Sequence, residues 1–379
     1  MMTKNSLLVC AALVAGIASA QDTPPDTPDA LVDTRPTMAP DIREDDLEID
    51  VRLRRGNAVV VPVPISNPTL GSGLVLGGAY FYAQTEEQAR VQPASVTAVA
   101  GLYTNNYSKA VGAVHQSYWN QNKWRLTAAA GLADFRFPLY HPEGVTGDPR
   151  IEWQVDGSFF FARLSRKIAS NWYGGGAVRV VDADQAFNVA VESADFDIGS
   201  NLRSAGLGVL FEYDSRDLPL NTYDGRYFTL DALFNDELLG SSRTYQSYRM
   251  AFRSFHEVTE STVLAWQAQA CYRGGQVPLW DGCFIPLRGF SATDHIGRSS
   301  VAGQAELRWR MNKRWGFVTF AGAGKISQGF VERREPKTIP SYGVGLRFTV
   351  LQAKRINLRL DFARSRDSDA VHFSVGEAF

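Results

Sequence analysis

Apolar and polar residues alternate along most of the chain after about residue 57. Ile-Asn-Leu-Arg-Leu-Asp-Phe-Ala at 356–363 and Ala-Glu-Leu-Arg-Trp-Arg-Met at 305–311 place every second side chain on one apolar face. The segment 342–348 alternates in the same way, with glycine and arginine on its polar face. A period of two is typical of β-strands with one apolar and one polar face. The pattern therefore predicts an all-β protein.

Sixteen strands are expected from this alternation and from the turn residues between the segments. They span 57–65, 73–84, 94–107, 108–121, 124–140, 152–168, 171–187, 202–216, 225–236, 243–259, 261–275, 301–314, 315–326, 340–354, 356–367 and 370–379. The first is the least regular, because Pro62 and Pro64 have no N–H to donate to a neighbouring strand. Two interpretations stay open: a first strand weakly bonded to 370–379, or a lead-in outside the sheet.

The N-terminus has the features of an export signal. Lys4 precedes an apolar stretch at 7–17 that is too short to span a bilayer, and Ala-Ser-Ala at 18–20 is a small-residue cleavage site. We expect residues 1–20 to be a signal peptide that is cleaved after Ala20. Residues 21–56 are rich in proline and acidic residues and poor in apolar ones, which predicts a disordered leader before a barrel at 57–379.

The strands resemble membrane-spanning strands more than those of a soluble sandwich. Their apolar faces carry large aromatic residues, and most are about 10 to 17 residues long, as a tilted span requires. Beyond the N-terminus, no apolar run reaches the roughly 18 residues of a spanning helix. Phe373 and Phe379 give the last segment the terminal aromatic pattern of barrels in the bacterial outer membrane. We therefore predict a transmembrane antiparallel β-barrel of 16 strands, with apolar residues outside, polar residues inside and both ends on the periplasmic side.

Charge and cysteine content narrow the function classes. Lys+Arg 39 against Asp+Glu 40 leaves a net charge of −1, which argues against a nucleic-acid binder. After export two cysteines remain, Cys271 and Cys283, and the oxidising compartment favours a disulfide between them over two unpaired thiols. No histidine stands at ligand spacing near them, so we expect no zinc site and no cofactor.

Signs of catalysis are weak. The five histidines are scattered along the chain, and no nucleophile elbow or phosphate-binding loop is present. We therefore do not expect an enzyme. A catalytic site assembled across several strands stays open as an alternative, since such sites are spatial and leave no local motif.

A resemblance to a known family appears in the last third of the chain. Leu287-Arg288-Gly289-Phe290 lies in the long connection between the eleventh and twelfth strands. It resembles the (V/L)RG(F/Y) motif of the bacterial surface antigen family, the BamA/TamA superfamily of outer-membrane barrels. The resemblance implies that this loop folds into the lumen and that Arg288 contacts acidic groups there. By strand parity Glu306 is the first candidate partner and Asp361 the second, and Gly289 allows close approach of the loop to the wall. The alternative is that Arg288 is one of many solvated loop arginines.

Further segments between about 60 and 379 fit the same family. They are the strand ending at 208–217 with Gly-Arg-Tyr after it, the penultimate-strand pattern at 342–348, and the first-hairpin pattern at 64–80. One departure is Gly322, which stands where the family usually has an aspartate that helps to hold the loop. The chain also leaves no room for the periplasmic POTRA modules of the relatives that insert or secrete proteins, which puts transfer of that activity in doubt.

The resemblance implies a function in assembly or translocation of outer-membrane proteins. The expected partners are outer-membrane lipids and the barrel-assembly machinery that inserts the protein itself, and a separate periplasmic partner is an open alternative. A structural or passive pore-forming barrel, and an enzyme or lipid-handling barrel, are the competing functions. The sequence marks no patch for a homo-oligomer.

Overall fold

The computed structural model describes residues 57–139, 150–191, 194–218, 221–293, 295–329, 338–352, 355–366 and 368–379. The predicted signal peptide at 1–20 and leader at 21–56 lie outside the described residues. The strands are β1 Asn57–Asn67, β2 Gly71–Phe81, β3 Val96–Thr104, β4 Lys109–Trp119, β5 Trp124–Leu139, β6 Arg150–Ala169, β7 Trp172–Val191, β8 Ala194–Asp214, β9 Gly225–Asn235, β10 Tyr245–Thr259, β11 Thr262–Gly275, β12 Gly297–Arg310, β13 Trp315–Gly329, β14 Thr338–Leu351, β15 Ile356–Ser365 and β16 Asp369–Val375.

The strands form one closed barrel. Each pairs antiparallel with its neighbours in sequence, and β16 returns to pair with β1. The predicted all-β antiparallel barrel of 16 strands is therefore confirmed. No helix among the described residues has the length and hydropathy needed to cross a bilayer. The segment from 57 is a barrel strand, so the alternative of a lead-in outside the sheet is wrong.

The seam between β1 and β16 is the weakest junction of the barrel. β1 pairs with β2 over all of its 11 residues. With β16 it shares a single register pair, Ser66 with Phe373. Pro62 and Pro64 each remove an N–H, and residues two apart direct their N–H groups to the same edge of a strand. The complete pairing with β2 indicates that this donor-poor edge faces β16.

Alternation between the two faces follows the prediction on the C-terminal strands. Leu307 and Trp309 of β12 are exposed on the outer face, while Glu306 and Arg308 are buried on the inner one. Asp361 of β15 is likewise fully buried. On these strands the apolar face points outward and the polar face inward, as lipid outside and charge pairs inside require.

On the N-terminal strands the expectation of a polar inner face is wrong. Inward residues such as Val75, Val96, Phe135 and Trp153 are 0–1% exposed and form one large apolar cluster. The physical reason is their packing partner, since Trp280, from the connection between β11 and β12, belongs to the same cluster. An inner face that is covered by protein and not by water can be apolar.

Strand ends differ from the prediction in several places. β6, β7 and β8 have 20, 20 and 21 residues, and they extend across most of the predicted loop at 188–201. A short helix, α1 Glu86–Val91, begins at a capping box in which Thr85 and Gln88 bond each other's backbone N–H. The Thr-x-x-Gln spacing is a local sequence signal for that helix, and the strand prediction did not include it.

The last strand ends earlier than the predicted 370–379. β16 stops at Val375, and Gly376 adopts a positive φ of 88° that turns the chain away. Glu377 then accepts a hydrogen bond from Arg347 Nε at 2.7 Å. The backbone oxygen of Phe379 accepts one from Arg308 Nη2 at 2.9 Å. Phe379 therefore contacts buried charges of the C-terminal wall and is not part of a strand.

Candidate functional site

The connection between β11 and β12, residues 276–296, contains the sequence motif that we singled out. A disulfide joins Cys271 at the end of β11 to Cys283, with their Cα atoms 5.8 Å apart. Cys283 and Gly297 also exchange two backbone hydrogen bonds, of 2.7 and 2.8 Å. These two links fix the connection at the point where β12 begins, so the rest of the segment starts from a defined position.

Arg288 is the best-connected residue of the motif. Its side chain is 6% exposed, and Nη1 donates to Asp361 Oδ2 at 3.0 Å. Nη2 donates to Glu306 Oε2, and Nε and Nη2 both donate to Gln304 Oε1, at 3.0 and 2.8 Å. The guanidinium carbon lies 3.5 Å from the ring centroid of Phe320. The structure thus brings Arg288 together with both of the carboxylates that strand parity pointed to.

Each of these carboxylates also binds a second arginine on its own wall. Arg308 Nε donates to Glu306 Oε1 at 2.6 Å, and Arg347 Nη1 donates to Asp361 Oδ1 at 2.6 Å. Both carboxylates are fully buried. A buried carboxylate is tolerated when charge and hydrogen bonds compensate it, and here two arginine forks do so. The arrangement can hold the connection against β12 and β15 at the same time.

The backbone of the motif lies close to the end of β15. Gly289 has a φ of +91°, and a Cβ there would stand 3.1 Å from the carbonyl carbon of Arg364. The Gly289 carbonyl accepts a hydrogen bond from Ser368 Oγ at 2.6 Å. Only glycine meets both the positive φ and the close approach without strain. Leu287 and Phe290 on either side are buried in a small apolar cluster with Ile285, Ala302 and Ile339.

A second anchor, which sequence reasoning missed, holds the other end of the connection. Asp281 is fully buried and accepts hydrogen bonds from Arg179 of β7, from Arg273 Nη2 at 3.2 Å and from the Tyr245 hydroxyl at 2.8 Å. Burial by itself raises the pKa of Asp281, but Arg179 and Arg273 outweigh it and hold that pKa well below its ordinary value. The single acid in an apolar-aromatic stretch, Leu-Trp-Asp-Gly, is the signal that could have pointed to it.

Gly322 explains how the loop is held without the acid that the family usually has on β13. Gly322 lies opposite Gln304 in the register, and a Cβ at 322 would stand 2.5 Å from the carbonyl oxygen of Gly303 and 3.0 Å from Gln304 Cα. The absent side chain leaves room for Gln304, whose amide oxygen binds Arg288 twice. The side-chain amide of Gln304 therefore supplies a hydrogen-bond acceptor for Arg288, and the carboxylates of Glu306 and Asp361 supply the negative charge.

The remaining predicted residues lie elsewhere. Phe373 is in β16, opposite Ser66 across the seam and opposite Leu360 on the other side. Phe379 lies beyond the strand with its ring centroid 6.3 Å from that of Phe255. Among the described residues, no group of three or more His, Cys, Asp or Glu side chains is placed to hold a metal ion.

Comparison with known proteins identifies the family. The Omp85 superfamily domain matches residues 92–379. BamA from Haemophilus ducreyi lacking POTRA domains 1–3 is similar over 85% of this chain and 70% of that chain, with a TM-score of 0.58 and 12% identity. CdiB from Acinetobacter baumannii is similar over 85% of this chain and 60% of that chain, with a TM-score of 0.54 and 11% identity. CdiB from Escherichia coli is similar over 85% of this chain and 62% of that chain, with a TM-score of 0.54 and 12% identity.

At these identities the likeness to solved structures shows the fold alone, and the chain spans less than two thirds of the two CdiB chains. No curated protein sequence matches this chain. The family domain, however, covers about three quarters of the chain, including every strand from β3 to β16. This protein therefore belongs to the Omp85 superfamily and is an outer-membrane β-barrel of that superfamily.

Proposed function

We propose that this barrel assists the assembly or translocation of polypeptides at the outer membrane by opening its β1–β16 seam. The single register pair between Ser66 and Phe373 is the observation that carries the proposal. Membership in the Omp85 superfamily agrees with it, because the family consists in general of transporter and insertase barrels.

The energetics of the seam favour opening there. A ladder hydrogen bond contributes about 1 kcal/mol net, so a junction that lacks most of its ladder costs several kcal/mol less to separate than its neighbours. Pro62 and Pro64 make this deficit permanent, since no shift of register restores their missing N–H groups. The edge of β1 that an opened seam would expose can pair with an incoming strand only through its remaining donors and its carbonyl oxygens.

The connection at 276–296 supports the wall beside the seam. We infer that it occupies the lumen, because Arg288 bonds inward-facing groups on β12 and β15, and Ser291 and Ala292 contact Thr69 in the β1–β2 turn. It therefore links β12 and β15, on one side of the seam, to the first hairpin on the other side, so its contacts with Thr69 must break when the seam opens. Its contacts with β12 and β15 lie on one side of the seam and can persist in the open barrel. A separate periplasmic partner would fit this scheme by delivering substrates to the seam.

The test measures insertion of a second barrel. The purified protein is reconstituted in liposomes, and a urea-denatured outer-membrane barrel is added while its folding is followed by heat-dependent gel mobility. We expect faster folding than in empty liposomes and loss of that acceleration with Arg288→Ala. If the correctly folded protein gives no acceleration, autonomous insertase activity is excluded, and ion conductance in the same liposomes would then favour a passive pore.

A seam lock separates the proposed mechanism from a general effect of the barrel on the bilayer. Cysteines at Ser66 and Phe373 should form a disulfide across the seam and abolish the acceleration, and reduction should restore it. A matched pair at Ala305 and Ala321, which are register partners on the well-paired β12 and β13, serves as the control. Oxidised and reduced wild-type protein controls for the native Cys271–Cys283 disulfide. Equal activity of the locked and unlocked seam would overturn the proposal.

A further inference from the structure

Two arginines on the inner face of β10 have no carboxylate of their own. Arg249 and Arg253 share strand parity with Tyr245 and Phe255, which are 1% exposed, so all four point into the barrel. In the described part of the chain neither arginine forms an ion pair, and Arg253 Nε is buried with no hydrogen-bond partner. Both side chains are partly exposed, so water reaches them and a soluble anion can do so too, while the buried Nε of Arg253 is left without a hydrogen bond.

The acids around Arg249 already bind other arginines. Asp231 lies opposite Arg249 in the register, but it accepts a hydrogen bond from Arg163 Nη2 at 2.6 Å. Asp281, which also interacts electrostatically with Arg249, is bound by two arginines of its own. The positive charge of Arg249 is therefore in excess on this part of the wall.

Positive charge is also in excess around Arg253. It interacts electrostatically with Arg216 and Arg308, which repel it, and with Asp214, which attracts it. Asp214 accepts a hydrogen bond from Arg216 Nε at 2.9 Å, and Arg308 is bonded to Glu306 at 2.6 Å. Each of these two arginines has a carboxylate. Arg253, whose guanidinium carbon lies 5.7 Å from the ring centroid of Tyr227, is the one of the three that has no ion pair among the described residues.

A free amide donor lies on the same register row. Arg253 is opposite Gln267 of β11, and Gln267 is opposite Gln304 of β12. Neighbouring strands are about 4.8 Å apart, so the backbones of Arg253 and Gln304 are separated by roughly 10 Å and their long side chains both point inward. Arg288 binds the amide oxygen of Gln304 and thereby fixes its orientation, and the buried Nε2 has no partner within the described residues.

We propose that Arg253, Gln304 and Arg249 form a lumenal binding site for a phosphate group. The three groups of the site are donors, because the amide oxygen of Gln304 is already bound by Arg288, and two of them carry positive charge, which favours an anion. The planar guanidinium fork matches the oxygens of phosphate and carboxylate alike. Arg249 and Arg253 are four residues apart on one face of β10, roughly 13 Å along the strand, so their long side chains reach an anion between them by bending toward each other. A phosphate with a charge near −2 neutralises both cations, while a carboxylate neutralises one.

The proposal does not depend on the proposed function of the barrel, because binding is measured on the folded protein without any insertion assay. The purified protein in a zwitterionic detergent that contains no phosphate group is titrated calorimetrically with inorganic phosphate at constant ionic strength. A second titration uses a short-chain phosphatidic acid. Binding of both probes indicates a site for a free phosphate, and binding of the lipid alone indicates a phosphate that is carried by a lipid headgroup; both outcomes support the site.

Variants distinguish a built site from general attraction to a basic surface. Arg253→Gln should weaken binding by roughly tenfold or more, and Arg249→Gln should weaken it less, because each removes a charge-assisted hydrogen bond. Arg253→Lys keeps the charge and should retain part of the affinity. Arg310→Gln removes the same charge from an arginine that is already paired with Glu257 at 3.0 Å and should leave binding unchanged.

Heat-dependent gel mobility confirms that each variant is folded before titration, and Arg253→Lys serves if Arg253→Gln does not fold. The proposal is overturned if folded wild-type protein binds neither probe with saturation. It is equally overturned if Arg310→Gln weakens binding as much as Arg253→Gln does, since the effect would then come from net charge alone.

Discussion

Replacing Arg288 by alanine tests whether the motif holds the connection to the barrel wall. The change removes the hydrogen bonds to Asp361 and Glu306, both bonds to Gln304 Oε1 and the contact with the Phe320 ring. All of these groups are buried, so water does not replace the lost guanidinium.

The expected loss of stability follows from what remains after the change. Breaking a buried ion pair by removing one partner costs about 3–5 kcal/mol, because a charge is left buried without compensation. Here Glu306 keeps Arg308, and Asp361 keeps Arg347. Neither carboxylate is left alone, which places the expected loss for Arg288→Ala at the lower end, about 3 kcal/mol.

Urea-induced unfolding in phospholipid vesicles, followed by tryptophan fluorescence, measures this loss. Arg310→Ala is the matched control, because its partner Glu257 is 43% exposed and a surface pair of this kind contributes about 0–1 kcal/mol. We also expect faster proteolysis of the connection at 276–296 in Arg288→Ala. If the loss for Arg288→Ala lies within about 1 kcal/mol of that for Arg310→Ala, the reasoning about the buried network is wrong.

Two further predictions concern the other contacts of the connection. Asp281→Asn should destabilise the fold by about 3 kcal/mol, because it leaves Arg179 and Arg273 buried without a carboxylate; equal unfolding midpoints would refute this. The pKa of Asp281 is lowered in the folded state, so the ionised carboxylate should stabilise the fold fully above about pH 3.9, the ordinary pKa of an aspartate. This stabilisation should be lost as the pH falls through the lower pKa of the folded state. Unfolding measured at a series of pH values would show it. Gly322→Asp should lower stability by about 1–3 kcal/mol although it introduces the acid typical of the family, because its Cβ meets the neighbouring backbone. Gly322→Ala should lose as much, whereas Gly303→Ala, whose Cβ has an ordinary contact of 3.5 Å, should lose less.

Alternation was sufficient to predict the strands because it is a local property. A period of two depends only on the pleat of the backbone, and a strand that separates lipid from a polar interior must show it. Long segments such as β10 and β11 were therefore predicted to within two residues at each end, whereas β12 begins and ends four residues earlier than predicted. The signal was weak where both faces are apolar, as on β2 and β5, since lipid covers one face and buried protein the other.

The alternation along each strand also showed which acids face inward and could therefore meet Arg288. Glu306 and Asp361 were the two candidates, and Arg288 contacts both. It could not reveal Gln304 as a third partner, or Asp281 as a second anchor. Those contacts join residues of β7, β10 and β12 to the connection. Their positions depend on how the sheet closes and on the register of every strand between them.

The sequence by itself determined the fold class, the number of strands and the motif that the connection carries, because each of these follows from short-range patterns. Only the tertiary structure decided which charges meet. Closure of the barrel brings Arg288 and Asp361 together across 73 positions of sequence. Closure also makes β1 and β16, the first and last strands, adjacent, and the single pair at their seam exists only for that reason. The excess of arginines around β10 depends instead on the register of consecutive strands, which the sequence pattern does not give.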